Sequence, residues 1–177
     1  MKKLFALLLV FSLPLISSAQ VLVFHANLTG AQEVPANASP GTGFADAILD
    51  VPTSVLTFST TWSGLLAATS NGHIHTAPVG VSGPVVIPFP GLTLGSTFGT
   101  YSNTFTLTAG QVSDLVAGLD YVNIHSTSFP GGEIRGQLLA VPGAVPEPST
   151  YALGGAAILA WLAVRRIRSG RRAARST

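Results

Sequence analysis

The chain contains no cysteine. That excludes disulfides, thiolate metal centres and a cysteine nucleophile, and leaves histidines, carboxylates and backbone groups to supply any chemistry. Charge is scarce as well, at 9% of residues. Between Gln20 and Thr150 the sole base is Arg135, against the acids Glu33, Asp46, Asp50, Asp114, Asp120, Glu133 and Glu147. One base against seven acids gives that stretch a net charge of −6. A nucleic-acid partner does not fit, because phosphate binding requires clustered Lys and Arg. Also missing are a Gly-X-Ser-X-Gly elbow, a phosphate-binding glycine loop and a His-Glu-X-X-His pair. Their absence removes the signatures of the serine hydrolases, the nucleotide binders and the zinc metalloproteases. No internal repeat of useful length is present.

The basic residues that do occur are concentrated at the two ends. Lys2 and Lys3 precede an apolar run from Leu4 to Ile16, and Ser17-Ser18-Ala19 supplies small residues before Gln20. A basic start, an apolar middle and a small-residue cleavage site are the three parts of a secretory signal peptide, here residues 1–19, a substrate for signal peptidase. The other end has three parts too. A Pro-rich linker covers residues 141–150, an uncharged apolar segment runs from Tyr151 to Val164, and six arginines follow between Arg165 and Arg175. The apolar segment has fourteen residues, against the ~20 of an ordinary span. Snorkelling arginines extend its reach, and the basic cluster would remain cytoplasmic. Residues 151–175 therefore read as a membrane helix with a basic tail that leaves the preceding domain outside.

Residues 21–140 have the pattern of a single β-domain. Leu22, Phe24, Ala26 and Leu28 alternate with polar residues; so do Ala45, Ala47, Leu49 and Val51, and Leu56, Phe58 and Trp62 share another face. Val122 and Ile124 alternate with Tyr121, Asn123 and His125, and Ile134 and Leu138 with Glu133, Arg135 and Gln137. Short strands of period two with turn punctuation predict an antiparallel sandwich or barrel. One helix interrupts them: Thr108 and Gln111 have capping-box spacing, Val112, Leu115, Val116 and Leu119 follow at helical spacing, and Gly118 suits its end. Asn71-Gly72 reads as a turn.

Two groups of residues carry candidate chemistry. His73 and His75 flank Ile74, and on a strand such positions point to one face about 6.5–7 Å apart. With His125 they offer three imidazoles suited to zinc or copper, with Glu133 and Asn123 as nearby candidates to accept from the ligand histidines. The other reading is structural, with the imidazoles bonded to loop backbone while Ile74 fills the core. His25 reads as a polar-face strand residue. The second group is Arg135 with Glu33 and Glu133. A lone arginine among acids seeks a carboxylate, which makes the three a structural clamp tying the last strand to the Ala31-Gln32-Glu33 loop; the alternative is an anion contact beside the histidines.

Two resemblances follow from these residues. Pro146-Glu147-Pro148 before a short apolar helix and an Arg-rich end resembles the PEP-CTERM sorting signal of Gram-negative bacteria. That resemblance implies recognition by an exosortase-type membrane enzyme and transfer to the cell surface or extracellular matrix. Phe24 to Pro35, His73-Ile74-His75 with Gly80 and Gly83-Pro84-Val85-Val86, and Tyr121 to His125 leading into Pro130 to Leu138 together resemble a CHRD domain, the module named after chordin. This implies an all-β, antiparallel immunoglobulin-like or superoxide-dismutase-like β-sandwich. It also implies a binding or structural module, with a copper- or zinc-binding domain capable of dismutase-like redox chemistry as the alternative. The dismutase likeness falls on the His-X-His, although no second metal cluster with bridging His and Asp ligands is evident in the sequence.

The sorting signal predicts that protein recovered from the native envelope lacks Trp161 and the arginines beyond it. Mass spectrometry of the surface form decides this, and an intact end at Thr177 would leave a plain membrane anchor instead.

Overall fold

The computed structural model describes residues 20–142. The signal segment 1–19, the motif Pro146, Glu147 and Pro148, and the tail 151–175 lie outside the described residues. Among the described residues no helix is long and apolar enough to cross a membrane.

Nine antiparallel strands form one curled sheet. They are β1 (Val21–Thr29), β2 (Thr42–Asp50), β3 (Val55–Ser63), β4 (Thr69–Thr76), β5 (Val85–Pro88), β6 (Gly99–Thr106), β7 (Asp120–Ser126), β8 (Ile134–Gln137) and β9 (Leu139–Ala140). The sheet order is β5-β4-β7-β8-β1-β2-β3-β6, with β9 alongside β1. A 3-10 turn, Gly30–Gln32, follows β1, and the one helix, α1 (Ala109–Val116), precedes β7.

Period-two alternation builds the first half of the sheet. Phe24 faces Ala47, which faces Phe58, and Leu22, Leu49 and Leu56 repeat the arrangement one pleat on. Phe24, Leu28, Leu49, Leu56 and Phe58 are essentially solvent-free, each contributing about 1.5–3 kcal/mol through burial. Thr60 interrupts this apolar row and is satisfied by donating to the Phe44 carbonyl, 3.0 Å away. The curl brings the two ends of the sheet together. Phe89, just after β5, stacks on Tyr101 of β6 at 4.5 Å between centroids and also meets Phe58.

Helix α1 starts where the sequence places it. The Thr108 side chain accepts from the Gln111 N–H, and the Gln111 side chain returns a bond to the Thr108 backbone, a complete capping box. Leu115 is buried and Gly118 takes a positive φ of 70° just past the end, the backbone geometry that glycine adopts without strain. The Gln111 amide also donates to Val86 O in β5, so the cap anchors the helix to the sheet.

Asn71 and Gly72 form no turn; both lie inside β4, beside a register shift between Thr69 and Asn71. The glycine is there for space. A Cβ at Gly72 would stand 2.7 Å from the Phe89 ring, so the missing side chain admits that ring to the core. Strand β7 also departs from simple alternation, because all seven of its residues are buried.

Gly136 marks the tightest crossing of β8 over β1, where a Cβ would lie 2.3 Å from Asn27 O and 2.8 Å from its carbonyl carbon. Gly136→Ala should destabilise the fold by about 1–3 kcal/mol. Gly131→Ala, which meets nothing within 4 Å, should stay within about 0.5 kcal/mol. Urea titration compares the two, and equal values would contradict this crossing.

Candidate functional site

The β4–β7 register assembles a polar face. His73 lies opposite Asn123, His75 opposite Tyr121 and Asn71 opposite His125. Ile74, Val122 and Ile124 point the other way into the core. On the polar face His75 and His125 are buried while His73 is half-buried. The His73 Nδ1 and His125 Nε2 atoms are 3.2 Å apart. One nitrogen from each of His73, His75 and His125 lies within 4.8 Å of the others. Nitrogens sharing one tetrahedral zinc ion at 2.0–2.1 Å stand about 3.4 Å apart, so the cluster closes on an ion by drawing its imidazoles together.

Backbone carbonyls set the tautomers. His75 Nδ1 lies 3.0 Å from Gly83 O, and His125 Nδ1 lies 2.9 Å from Pro130 O. A carbonyl can only accept, so each Nδ1 carries the proton and each Nε2 presents a lone pair. His75 Nε2 is buried and has no partner. Sequence reasoning pointed to Glu133 and Asn123 as the acceptors; the structure uses main-chain oxygens instead. Gly83 also donates its N–H to the Tyr121 hydroxyl at 3.0 Å. A Cβ there would fall 1.9 Å from Thr76 O, so only glycine fits. The Gly83-Pro84 and Pro130-Gly131 segments were visible in the sequence, but nothing there showed that their carbonyls fold over the histidines.

Burial disfavours the charged form of all three imidazoles. His73 is lowered to about 4, by burial first and then by His125 and His75. Burial likewise lowers His75 and His125, against the carbonyl bonds that would raise them; Arg135 adds to the effect at His75, and His75 adds to it at His125. Neutral imidazole is the form that binds metal.

The carboxylates and Arg135 gather in the same half of the sheet without pairing. Glu133 is fully buried and accepts at 2.6 Å from both Ser39 Oγ and the Leu66 N–H. It therefore fastens two loops rather than Arg135. Arg135 is 2% exposed, lies 3.6 Å above the centre of the Tyr121 ring and donates to Val81 O at 3.1 Å. It makes no ion pair with Glu33 or Glu133; among the described residues a carboxylate meets a basic side chain at His25 and Asp46, across β1 and β2. The Tyr121 ring stacks on His75 as well, at 5.0 Å and 10°. Glu33 is buried, and burial raises its pKa to about 7 against the pull of Arg135, the Val34 N–H and Asn123.

Two family models match the chain. One describes the CHRD domain, over residues 24–138, and the other the PEP-CTERM protein-sorting motif, over residues 144–168. No curated protein and no solved structure matches.

The lowered His73 pKa gives stability a definite pH dependence. Between about pH 6.5 and 4 the unfolded chain takes up a proton that folded His73 refuses. Its contribution is complete above 6.5 and is lost as pH falls toward 4. Glu33, and Asp120 raised by burial to about 6, act in the opposite sense, so the comparison must be with a variant. Metal-free wild type should lose more stability from pH 7 to pH 4 than His73→Gln, measured by urea midpoints. Equal losses would mean that His73 protonates freely in the folded protein.

Proposed function

The chain belongs to the CHRD domain family, and on that footing we propose that it is an exported envelope protein whose domain binds Zn²⁺ or Cu²⁺ through His73, His75 and His125. The PEP-CTERM motif implies recognition by an exosortase-type system, with export and sorting to the bacterial cell envelope. In this reading signal peptidase removes residues 1–19. The segment 151–175 then holds the domain at the membrane of a Gram-negative cell until the sorting enzyme acts near Pro146-Glu147-Pro148. The mature form, running from Gln20 through the domain 21–140 to the cut near Pro146-Glu147-Pro148, stands at the surface or in the matrix. We read the curled sheet as the immunoglobulin-like or dismutase-like sandwich of the resemblance; supporting this, its antiparallel strands enclose a single core.

One observation carries the metal reading. His75 Nε2 is sealed from solvent with its lone pair unspent, and it converges with nitrogens of His73 and His125. Leaving a buried acceptor unsatisfied costs about 1–3 kcal/mol. A purely structural histidine gains nothing in return, whereas a ligand histidine needs that lone pair. Zinc would supply Lewis acidity or added stability there, and copper would supply redox chemistry. The second reading, a metal-free binding or structural module, draws on the two carbonyl bonds that already hold His75 and His125.

Calorimetric titration of the metal-free protein with Zn²⁺ and Cu²⁺ separates the two readings. The metal reading predicts one site of micromolar affinity or tighter, lost in His75→Ala. Because burial lowers the pKa of all three histidines, that of His73 to about 4, binding should persist below the ~6.5 at which free imidazoles take up protons. Equal binding by wild type and His75→Ala, or none below millimolar metal, would leave the structural reading.

A further inference from the structure

Arg135 remains outside the metal reading, and its surroundings are unusual. It is the only base between Gln20 and Thr150, it is 2% exposed, and among the described residues no carboxylate pairs with it. The Tyr121 ring 3.6 Å below it stands in for a counter-ion, yet a buried charge is disfavoured unless its donors are also hydrogen-bonded. Of the five N–H groups a guanidinium offers, one hydrogen bond is made, to Val81 O. None of its nitrogens is sealed in protein without a partner, so the unused donors are open to the space beside them. That space is a cavity of about 260 Å³ between the turn at 31–34, Val79-Gly80 and β8.

We propose that this cavity is a binding site for a small aliphatic carboxylate, held by the Arg135 guanidinium. The lining dictates the ligand's chemistry. Gln137 also lines the cavity, but its amide hydrogens are spent on Ala77 O and Gly118 O. Gln32 spends its own on Asn27 O and Thr29 Oγ1. Arg135 is thus the free side-chain donor, and the ligand must be an acceptor. Planar carboxylate geometry matches the guanidinium fork. A single positive charge and the apolar walls of Val34 and Val79 suit a monoanion with a short alkyl group better than a phosphate. Glu33 also lines the cavity but forms no ion pair with Arg135; burial raises its pKa to about 7 against the pull of Arg135, so its carboxyl is only partly ionised at neutral pH. Drug-sized ligands occupy sites of about 300–1,000 Å³, so a smaller cavity restricts the ligand to a few heavy atoms.

The test is equilibrium dialysis of labelled propionate against the purified exported protein at neutral pH. A chelator is present, so that the histidine cluster contributes nothing. Saturable one-to-one binding is expected, displaced by acetate but not by uncharged propionamide or by phosphate. Arg135→Met should weaken it at least about tenfold. Because that variant removes a buried residue, two further variants keep the test decisive. Ala31→Phe, at an exposed lining position, should block binding while leaving the fold intact. Glu33→Gln should leave affinity within about threefold. No saturation by about 10 mM propionate, equal competition by propionamide, or binding unchanged in both Arg135→Met and Ala31→Phe would overturn the proposal.

Discussion

All seven residues of β7 are buried, although five of them carry a polar group. The face bearing Val122 and Ile124 packs into the core. The face bearing Tyr121, Asn123 and His125 is roofed by loops that satisfy Tyr121 and His125 from inside the protein, while Asn123 Oδ1 stays buried without a partner among the described residues; each unpaired buried polar atom costs about 1–3 kcal/mol. Gly83 answers Tyr121 with its N–H and His75 with its carbonyl, and Pro130 answers His125. The loops around the site are therefore held by the polar face of one strand, and any change to that face reaches them.

Low charge density makes this burial workable. With one base in the exported stretch, few permanent charges have to be solvated inside. Burial lowers the pKa of all three histidines and pushes Glu33 up to about 7. Arg135 rests on Tyr121, whose ring also stacks on His75. A single aromatic side chain thus connects the candidate metal ligands to the candidate carboxylate site.

Much of this was legible in the sequence. Alternation placed the rows of β1, β2 and β3, and Thr108 with Gln111 placed the helix start. The three histidines were found from the spacing of two and from the position of the third. What escaped was whatever depends on contacts between distant segments. Asn71-Gly72 has turn composition, yet the glycine serves a ring seventeen positions further on. Tyr121 and Gly83 looked like an ordinary strand residue and an ordinary loop residue, because their roles exist only once β4 and β7 are paired and the 82–84 loop is laid over them. The Arg135 clamp followed sound charge logic, but Glu133 was already engaged by Ser39 and Leu66, and Arg135 found an aromatic face instead.

The central claim is that the roofed polar face of β4 and β7 is a preformed three-imidazole metal site. Anomalous diffraction from crystals grown with Zn²⁺, measured on both sides of the zinc edge, tests it most directly. The account predicts one strong peak within about 2.0–2.2 Å of a nitrogen from each of His73, His75 and His125, with the Gly83 and Pro130 carbonyl bonds intact. A zinc peak elsewhere on the domain, or no peak at this cluster under saturating metal, would contradict it.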